Sequence, residues 1–262
     1  LLVVVFAVVL ARRHSDWLRV QGGRVRRWLS VHAPRVWQFV RYRFSREAWY
    51  GLTLTMAFVL CVGMIWLFMQ VTESWTAEGV LYQFDRSVNE QIQGLLSDNT
   101  IQAIARLTYL GDGEFAIMAS VVLIITFIVQ KRWWRLLALF TILGLGNAVM
   151  WTLKWQFDRT RPDGFITMPT SSSFPSGHSF VAMVLYGFLI FLVWQVVKSR
   201  VWRVVLTTAL VLIILMVGLS RVLLSVHWVS DVLGGFTIGL AWLIFGIVVT
   251  RALRDLYAYR RR

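Results

Sequence analysis

The sequence predicts an all-α protein, a six-transmembrane-helix bundle preceded by N-terminal basic interfacial helices. Of its 262 residues, 58% are hydrophobic and 15% are charged, whereas soluble domains are about 25% charged. Only four Pro and one Cys occur, which excludes disordered and disulfide-stapled classes. About 20 apolar residues are needed for each helical crossing. Six apolar runs approach that length, at about 50–71, 113–130, 136–153, 179–197, 204–219 and 232–250.

Residues 1–49 come before the first predicted crossing. The ten apolar residues from Leu1 are too few to span a membrane, so we interpret them as the tail of a severed upstream helix. Ten Arg residues lie between Arg12 and Arg46, interleaved with Trp. Basic amphipathic segments of this kind bind anionic membrane surfaces, and Pro34 favours several short helices over one long helix. A nucleic-acid interface is the alternative for such a patch, and we do not predict it.

The distribution of positive charge predicts the orientation of the bundle. Successive loops lie on opposite sides of the membrane. The two terminal segments and the loops on their side hold 21 of the 27 Lys and Arg residues, and the loops on the other side hold six. Because cytoplasmic loops collect Lys and Arg, both termini are expected in the cytoplasm, with 251–262 as a basic cytoplasmic tail. The first outer loop contains apolar residues at three- and four-residue steps from Val80 to Leu95, which predicts an amphipathic helix on the outer leaflet.

Three polar clusters interrupt the apolar chain, and all three map to the outer side. Ionisable residues at a membrane boundary are costly, which makes them candidates for function. The clusters are Lys154 with Arg161-Pro162, Pro175-Ser176-Gly177-His178, and Ser220-Arg221 with His227 and Asp231.

The types of residue in these clusters predict a site for phosphate. Lys154, Arg161 and Arg221 are cations, and a group of cations suits an anion with several oxygens. Ser176 and Gly177 come before a predicted helix start, where a hydroxyl and backbone N–H groups are directed at an anion by the helix dipole. We therefore expect these five residues to bind phosphate.

Two histidines beside this phosphate site predict group-transfer chemistry. On a helix, His227 and Asp231 would share one face, so Asp231 could accept one imidazole N–H and leave the other nitrogen nucleophilic. His178 would protonate the leaving oxygen and later deprotonate the attacking water. The scheme needs no metal and no cofactor, and no metal-ligand spacing stands out in the sequence.

Each cluster taken alone has a simpler interpretation. A boundary Lys is usually a snorkelling anchor, and Pro-Ser-Gly is usually a turn with a helix cap. A lipid-headgroup binding or transport bundle without chemistry therefore stays open as an alternative. It would need cations, but it would not need a nucleophile and an orienting acid.

The three clusters together resemble the signature of the type 2 phosphatidic acid phosphatase (PAP2) superfamily. The matching motifs are Lys154-x6-Arg161-Pro162, Pro175-Ser176-Gly177-His178 and Ser220-Arg221-x5-His227-x3-Asp231. The resemblance covers residues 50–250 and implies a membrane phosphatase domain, a phosphohistidine on His227 and acid–base catalysis by His178. Some members of this family follow a DedA-like membrane domain in the same polypeptide, and the resemblance implies that such an upstream domain would account for the severed first helix.

A lipid phosphate is the substrate that this topology and resemblance favour. The bacterial enzymes that the sequence resembles act on undecaprenyl pyrophosphate, phosphatidylglycerol phosphate, phosphatidic acid or lipid A phosphates. Undecaprenyl pyrophosphate is our first expectation, because its recycling takes place on the outer side of the bacterial inner membrane. Transfer of the phosphate to another lipid is an alternative to hydrolysis.

Overall fold

The computed structural model describes residues 31–34, 49–74, 79–93, 96–164 and 171–260. Regular structure in these ranges is entirely helical, which confirms the predicted fold class. A 3-10 turn (Tyr109–Gly111) and a π-helical segment (Phe140–Leu145) join neighbouring helices. The α-helices are α1 (Trp49–Ser74), α2 (Val80–Gln93), α3 (Asp98–Thr108), α4 (Gly113–Val129), α5 (Trp133–Leu139), α6 (Gly146–Gln156), α7 (Gly177–Val196), α8 (Arg200–Leu223) and α9 (Val229–Arg260).

The chain divides into two compact units, Leu1–Met56 and Ala57–Arg262. In the first unit only 31–34 and 49–56 are described. The predicted severed helix and most of the predicted interfacial segment therefore lie outside the described residues. The second unit contains every residue of the predicted phosphate site.

Five helical segments are long and apolar enough to cross a membrane: Leu54–Ser74, Trp133–Gln156, Gly177–Val196, Arg200–Leu223 and Val229–Asp255. The predicted second crossing is different. Helix α4 has 17 residues, fewer than the roughly 20 that a crossing needs. It reaches spanning length only together with Asn99–Gly111, from which it is bent by 40°. The described part of the chain thus has five candidate spans, or six with this bent pair.

Helix α7 forms the centre of the bundle and packs against α8 and α9. Phe180, Leu185 and Phe188 of α7 are fully buried. Gly235 of α9 lets the helices approach closely, because a Cβ atom at this position would lie 2.6 Å from the carbonyl oxygen of Ser176. This close approach holds the start of α7 against the start of α9, where the predicted site residues lie.

The predicted third crossing is divided by the π-helical segment. The indole Nε1 of Trp242 on α9 donates a hydrogen bond to the carbonyl oxygen of Ile142, at 3.0 Å. A Cβ atom on Gly146 would lie 2.7 Å from that same nitrogen. The small residue therefore makes room for the indole, which satisfies a backbone group at a point where the ordinary helical ladder is interrupted.

The predicted amphipathic helix of the outer loop is confirmed as α2. Its Leu81, Asp85, Val88 and Ile92 share one face, and Asp85 is only 1% exposed while Ile92 is also buried. This face packs on α8 and α9, whereas Phe84 remains 49% exposed. Helix α2 is therefore part of the protein interior on one side, and is not only a surface helix.

Candidate active site

His227 and Asp231 form the buried pair that the sequence predicts. His227 lies just before α9, and Asp231 lies in its first turn. The Nδ1 atom of His227 is 3.2 Å from Oδ2 of Asp231, and the backbone N–H of Trp228 donates to the same oxygen at 3.0 Å. The carboxylate is thus fixed both by the backbone and by the imidazole.

The second nitrogen of His227 faces Arg161. The Nη1 atom of Arg161 is 3.1 Å from Nε2 of His227. Because a guanidinium can only donate, Nε2 is the acceptor, and the N–H of the neutral ring is on Nδ1, facing Asp231. Burial lowers the pKa of His227 to about 4, Asp231 opposes this shift, and Arg161 and Arg221 add to it. The ring is therefore neutral at neutral pH, with a lone pair on Nε2.

Arg161 and Lys154 converge on the same short segment. Lys154, near the end of α6, donates from Nζ to the carbonyl oxygen of Ser172 at 2.7 Å. Arg161 donates to the carbonyl oxygens of Ser171 at 3.2 Å and Val226 at 3.0 Å. Burial lowers the pKa of Arg161, and Asp231 partly offsets this effect. Both cations are thus held by carbonyl oxygens, which a phosphate oxygen can replace.

The start of α7 supplies Ser176, Gly177 and His178. The hydroxyl of Ser176 caps α7 by accepting from the backbone N–H of Ser179 at 3.5 Å. The backbone N–H of Ser176 donates to the carbonyl oxygen of Asp231 at 3.0 Å. A Cβ atom on Gly177 would lie 3.7 Å from Cε of Lys154, so the helix start and the lysine stem are neighbours.

His178 lies within electrostatic range of His227, Lys154, Arg161 and Arg221. Arg221, at the end of α8, is 1% exposed and donates from Nη1 to Oγ1 of Thr108 at 2.9 Å. Its carbonyl oxygen accepts from the backbone N–H of His227 at 3.2 Å, which ties the two motif residues together. The structure therefore brings all eight predicted site residues to one end of the bundle.

Arg159 and Asp85 belong to this site, although neither is part of the three sequence motifs. Arg159 donates from Nη1 to Oδ1 of Asp231 at 2.6 Å, and from Nη2 to Oδ2 of Asp85 at 2.8 Å. The hydroxyl oxygen of Ser230 accepts from Nη1 of Arg159 at 2.6 Å, and its backbone N–H donates to Oδ1 of Asp85 at 3.0 Å. The signal that could have revealed Asp85 is its position on the apolar face of α2, between Leu81 and Val88.

Asp158 and Asp163 are exposed, so Asp231 and Asp85 are the carboxylates buried at the site. Among the residues that the structure describes, no group of three His, Cys, Asp or Glu side chains could hold a metal ion.

Comparison with known proteins decides the family. The model of the PAP2 superfamily matches residues 135–255. Phosphatidylglycerophosphatase B of Bacillus subtilis (strain 168) is 33% identical over 150 residues, which are 56% of this chain and 72% of that protein. The chain is a member of the PAP2 superfamily. This PAP2 protein is therefore a phosphatase, and its apolar helices make it a membrane protein.

One further relative and one solved structure agree with this assignment. The putative undecaprenyl-diphosphatase YbjG of Escherichia coli (strain K12) is 30% identical over 118 residues, 42% of this chain and 54% of that protein. The crystal structure of a transmembrane PAP2-type phosphatidylglycerolphosphate phosphatase from Bacillus subtilis superposes with a TM-score of 0.65 and 27% identity. It covers 71% of this chain and 94% of that one, so the helical architecture of the PAP2 protein is that of a solved relative.

An apolar cavity of about 700 Å³ opens beside the site, between α4, α5, the π-helical segment, α6 and α7. Gly113, Ile117, Leu143, Asn147 and Phe180 are among its lining residues. Its Gly113 end adjoins the start of α7, because a Cβ atom on neighbouring Gly111 would lie 3.3 Å from the carbonyl oxygen of His178. The cavity therefore lies near the start of α7, along α4 and α7, although none of the eight predicted site residues lines it.

Proposed function

We propose that this PAP2 protein hydrolyses the phosphate group of a membrane lipid through a phosphohistidine on His227. The observation that carries the proposal is the orientation of that ring, with Nδ1 on Asp231 and Nε2 facing Arg161. A nucleophile needs a free lone pair and a partner that stabilises the positive charge formed on attack. Asp231 is that partner, and the lone pair of Nε2, which accepts from Arg161 in this structure, becomes free for attack when Arg161 turns to the phosphate oxygens.

The proposed reaction has two steps. In the first, Nε2 of His227 attacks the terminal phosphorus, a P–N bond forms, and the bond from phosphorus to the leaving oxygen breaks as protonated His178 gives that oxygen its proton. The leaving oxygen belongs to the lipid alcohol in a monoester and to the lipid monophosphate in a pyrophosphate. In the second, water attacks phosphorus and gives a proton to His178, the P–N bond breaks, and inorganic phosphate leaves. The charge on the remaining phosphate oxygens is stabilised by Lys154, Arg161 and Arg221 and by the donors at Ser176 and Gly177.

The apolar cavity supports a lipid as the substrate. Ligand sites that take hydrocarbon chains are lined by apolar side chains, with a few polar groups at one end. Here the cavity is lined by apolar side chains of α4 and α7, and His178, on which the cations act electrostatically, lies in the first turn of that same α7 helix. A lipid whose phosphate lies in the site would thus have an apolar cavity nearby for its hydrocarbon chains.

Undecaprenyl pyrophosphate stays our first candidate, and phosphatidylglycerol phosphate is the second. The names of the relatives favour both, since one is a putative undecaprenyl-diphosphatase and another is a phosphatidylglycerophosphatase. We further propose that the site faces outward from the bacterial inner membrane, with both termini of the chain inside. The distribution of Lys and Arg supports this orientation, because the site residues lie at the end of the bundle that is poor in those residues.

A substrate panel tests the proposal. Initial rates of phosphate release in detergent would be compared for undecaprenyl pyrophosphate, phosphatidylglycerol phosphate, phosphatidic acid and a lipid A phosphate. We expect the highest kcat/KM for undecaprenyl pyrophosphate. The variant His227→Ala should lose activity on every substrate by at least about 1,000-fold, whereas the matched control His32→Ala should keep it. Full activity of His227→Ala would overturn the mechanism.

A thiol-labelling experiment tests the orientation. In a Cys61→Ala background, the exposed positions 163 and 198 would each carry a new thiol, as Asp163→Cys and Lys198→Cys. A membrane-impermeant maleimide should label the first in intact cells and the second only after lysis. The opposite pattern would place the site in the cytoplasm.

A further inference from the structure

Asp85, on the buried face of the loop helix α2, has no role in the proposed chemistry. The Asp85 side chain is only 1% exposed, although most residues of its helix are polar. A buried carboxylate is costly unless it is paired. Its partners are Arg159 and Ser230, and both of these connect it to the nucleophile.

The connection runs through three elements. Asp85 on α2 accepts from Nη2 of Arg159, and Nη1 of Arg159 donates to Oδ1 of Asp231 on α9. The other oxygen of Asp231, Oδ2, faces Nδ1 of His227. One carboxylate thus uses one oxygen for Arg159 and the other for the imidazole, so the position of Arg159 sets the orientation of Asp231.

We propose that Asp85 is a positioning residue that, through Arg159, holds Asp231 in the orientation that aims His227 at phosphorus. The inference rests on the proposed role of His227 as the nucleophile.

Charge balance gives the physical reason for a second carboxylate. A single Asp231 facing both Arg159 and His227 would share its charge between a permanent cation and the ring that becomes cationic on attack. Asp85 takes one edge of the guanidinium, so Asp231 keeps negative charge for the imidazolium. The other charged or titratable groups that act on His227 are Arg161, Arg221 and His178, and none of these is a carboxylate.

The same contacts give α2 a specific function. Ser230 donates to Asp85 from its backbone N–H at 3.0 Å and also from its hydroxyl. The first turn of α9, which contains Asp231, is therefore bound directly to α2. The outer-loop helix closes the rear of the site, on the side of Asp231 opposite the imidazole.

The variant Asp85→Asn tests the proposal, because it keeps the shape of the side chain and removes its charge. Its matched control is Glu90→Gln, which removes a charge from the same helix. The Glu90 side chain is 69% exposed, and its Oε1 lies 3.9 Å from Nε of Arg86. Single turnovers with enzyme in excess would be followed by rapid quenching. The saturating rate constant reports the chemistry of folded enzyme, whatever fraction of the preparation is folded.

We expect Asp85→Asn to lower the saturating rate constant by about 10- to 100-fold, as a small misplacement of a reacting group does. The enzyme concentration for half-saturation should change less than about twofold, since Asp85 is not expected to touch the substrate. Glu90→Gln should match the parent in both quantities. A saturating rate constant for Asp85→Asn equal to that of Glu90→Gln would overturn the proposal.

A second variant covers the case in which Asp85→Asn does not fold. Asp85→Leu/Arg159→Met removes both buried charges of one ion pair, which is often tolerated, while Asp231 keeps its contacts with His227 and the Trp228 N–H. This double variant is expected to fold and to show the same slow single turnover. A normal rate constant in this double variant would contradict the proposal. His227→Ala, measured alongside, separates the two claims: if it is inactive while both Asp85 variants are normal, the nucleophile stands and the positioning role fails.

Discussion

The cations at the site fall into two groups with different surroundings. Lys154 and Arg161 donate to carbonyl oxygens and, for Arg161, to His227 and a Ser171 hydroxyl. Arg159 is 6% exposed and pairs with two buried carboxylates. Cations held by neutral groups can accept an anion from outside, whereas a cation between carboxylates is already neutralised. We therefore expect the first group to bind the phosphate and the second to organise the protein behind the proposed nucleophile.

The largest effect expected from the first group is at Lys154. The substitution Lys154→Met removes one positive charge from the phosphate-binding side and keeps most of the side-chain volume. Loss of one such donor typically costs about 100- to 1,000-fold, and we expect kcat/KM to fall by that amount. Lys198→Met, at an exposed lysine of the opposite end of the bundle, is the matched control. Equal activity of the two variants in phosphate release would contradict the assignment.

The second group should respond in kcat alone. The variant Arg159→Lys keeps the charge but loses the planar fork that serves Asp85 and Asp231 together. We expect kcat to fall about 10- to 100-fold with KM within about twofold of the parent value. A rise in KM with unchanged kcat would move Arg159 into the phosphate-binding group and remove the distinction between the two.

A smaller effect is expected at Thr108, which accepts from Arg221 at 2.9 Å. The variant Thr108→Val removes this hydroxyl in a buried place, and a hydrogen bond to a charged group contributes about 1.5–3 kcal/mol. Part of that loss should appear in catalysis, as a fall of about 3- to 10-fold in kcat/KM. Thr126→Val, whose hydroxyl donates to the Val122 carbonyl in α4, should show no such loss. Identical kinetics of the two variants would disprove a contribution from Thr108.

The smallest effect is expected from mild acid. The pKa of His227 is lowered by burial to about 4, so its neutral form dominates above that value and is lost only as the pH falls through it. Between pH 7 and pH 5.5 the ring should therefore stay neutral with its proton on Nδ1. The chain has four histidines, so ¹⁵N-histidine NMR of the parent and His227→Ala can assign the signal. Protonation of His227 near pH 6.5 would show that burial does not control this ring.

Much of the fold could be predicted from the sequence, because spanning length and hydrophobicity set the crossings. The predicted second crossing is the exception, since α4 is short and needs the bent Asn99–Gly111 segment to reach spanning length. The π-helical segment was also not predicted. It depends on the indole of Trp242 meeting the Ile142 carbonyl from another helix, and such tertiary contacts leave no local pattern.

The site shows the same division. The eight motif residues could be found from the sequence, because phosphate chemistry requires those residue types at those spacings. No sequence motif points to Arg159 and Asp85 as a pair, since the two residues meet across more than 70 positions of the chain. An acid on the apolar face of an amphipathic helix was the one local signal, and it was missed.

The most direct test of the central claim is to locate the phosphoryl group on the enzyme. A lipid substrate labelled in the phosphate that is released would be mixed with the PAP2 protein, quenched in alkali, in which phosphohistidine survives, and digested for mass spectrometry. The account predicts phosphate on the peptide that contains His227, and none on the same peptide of His227→Ala. Phosphate on His178 in place of His227, or steady turnover with no phosphoenzyme trapped on this time scale, would contradict it.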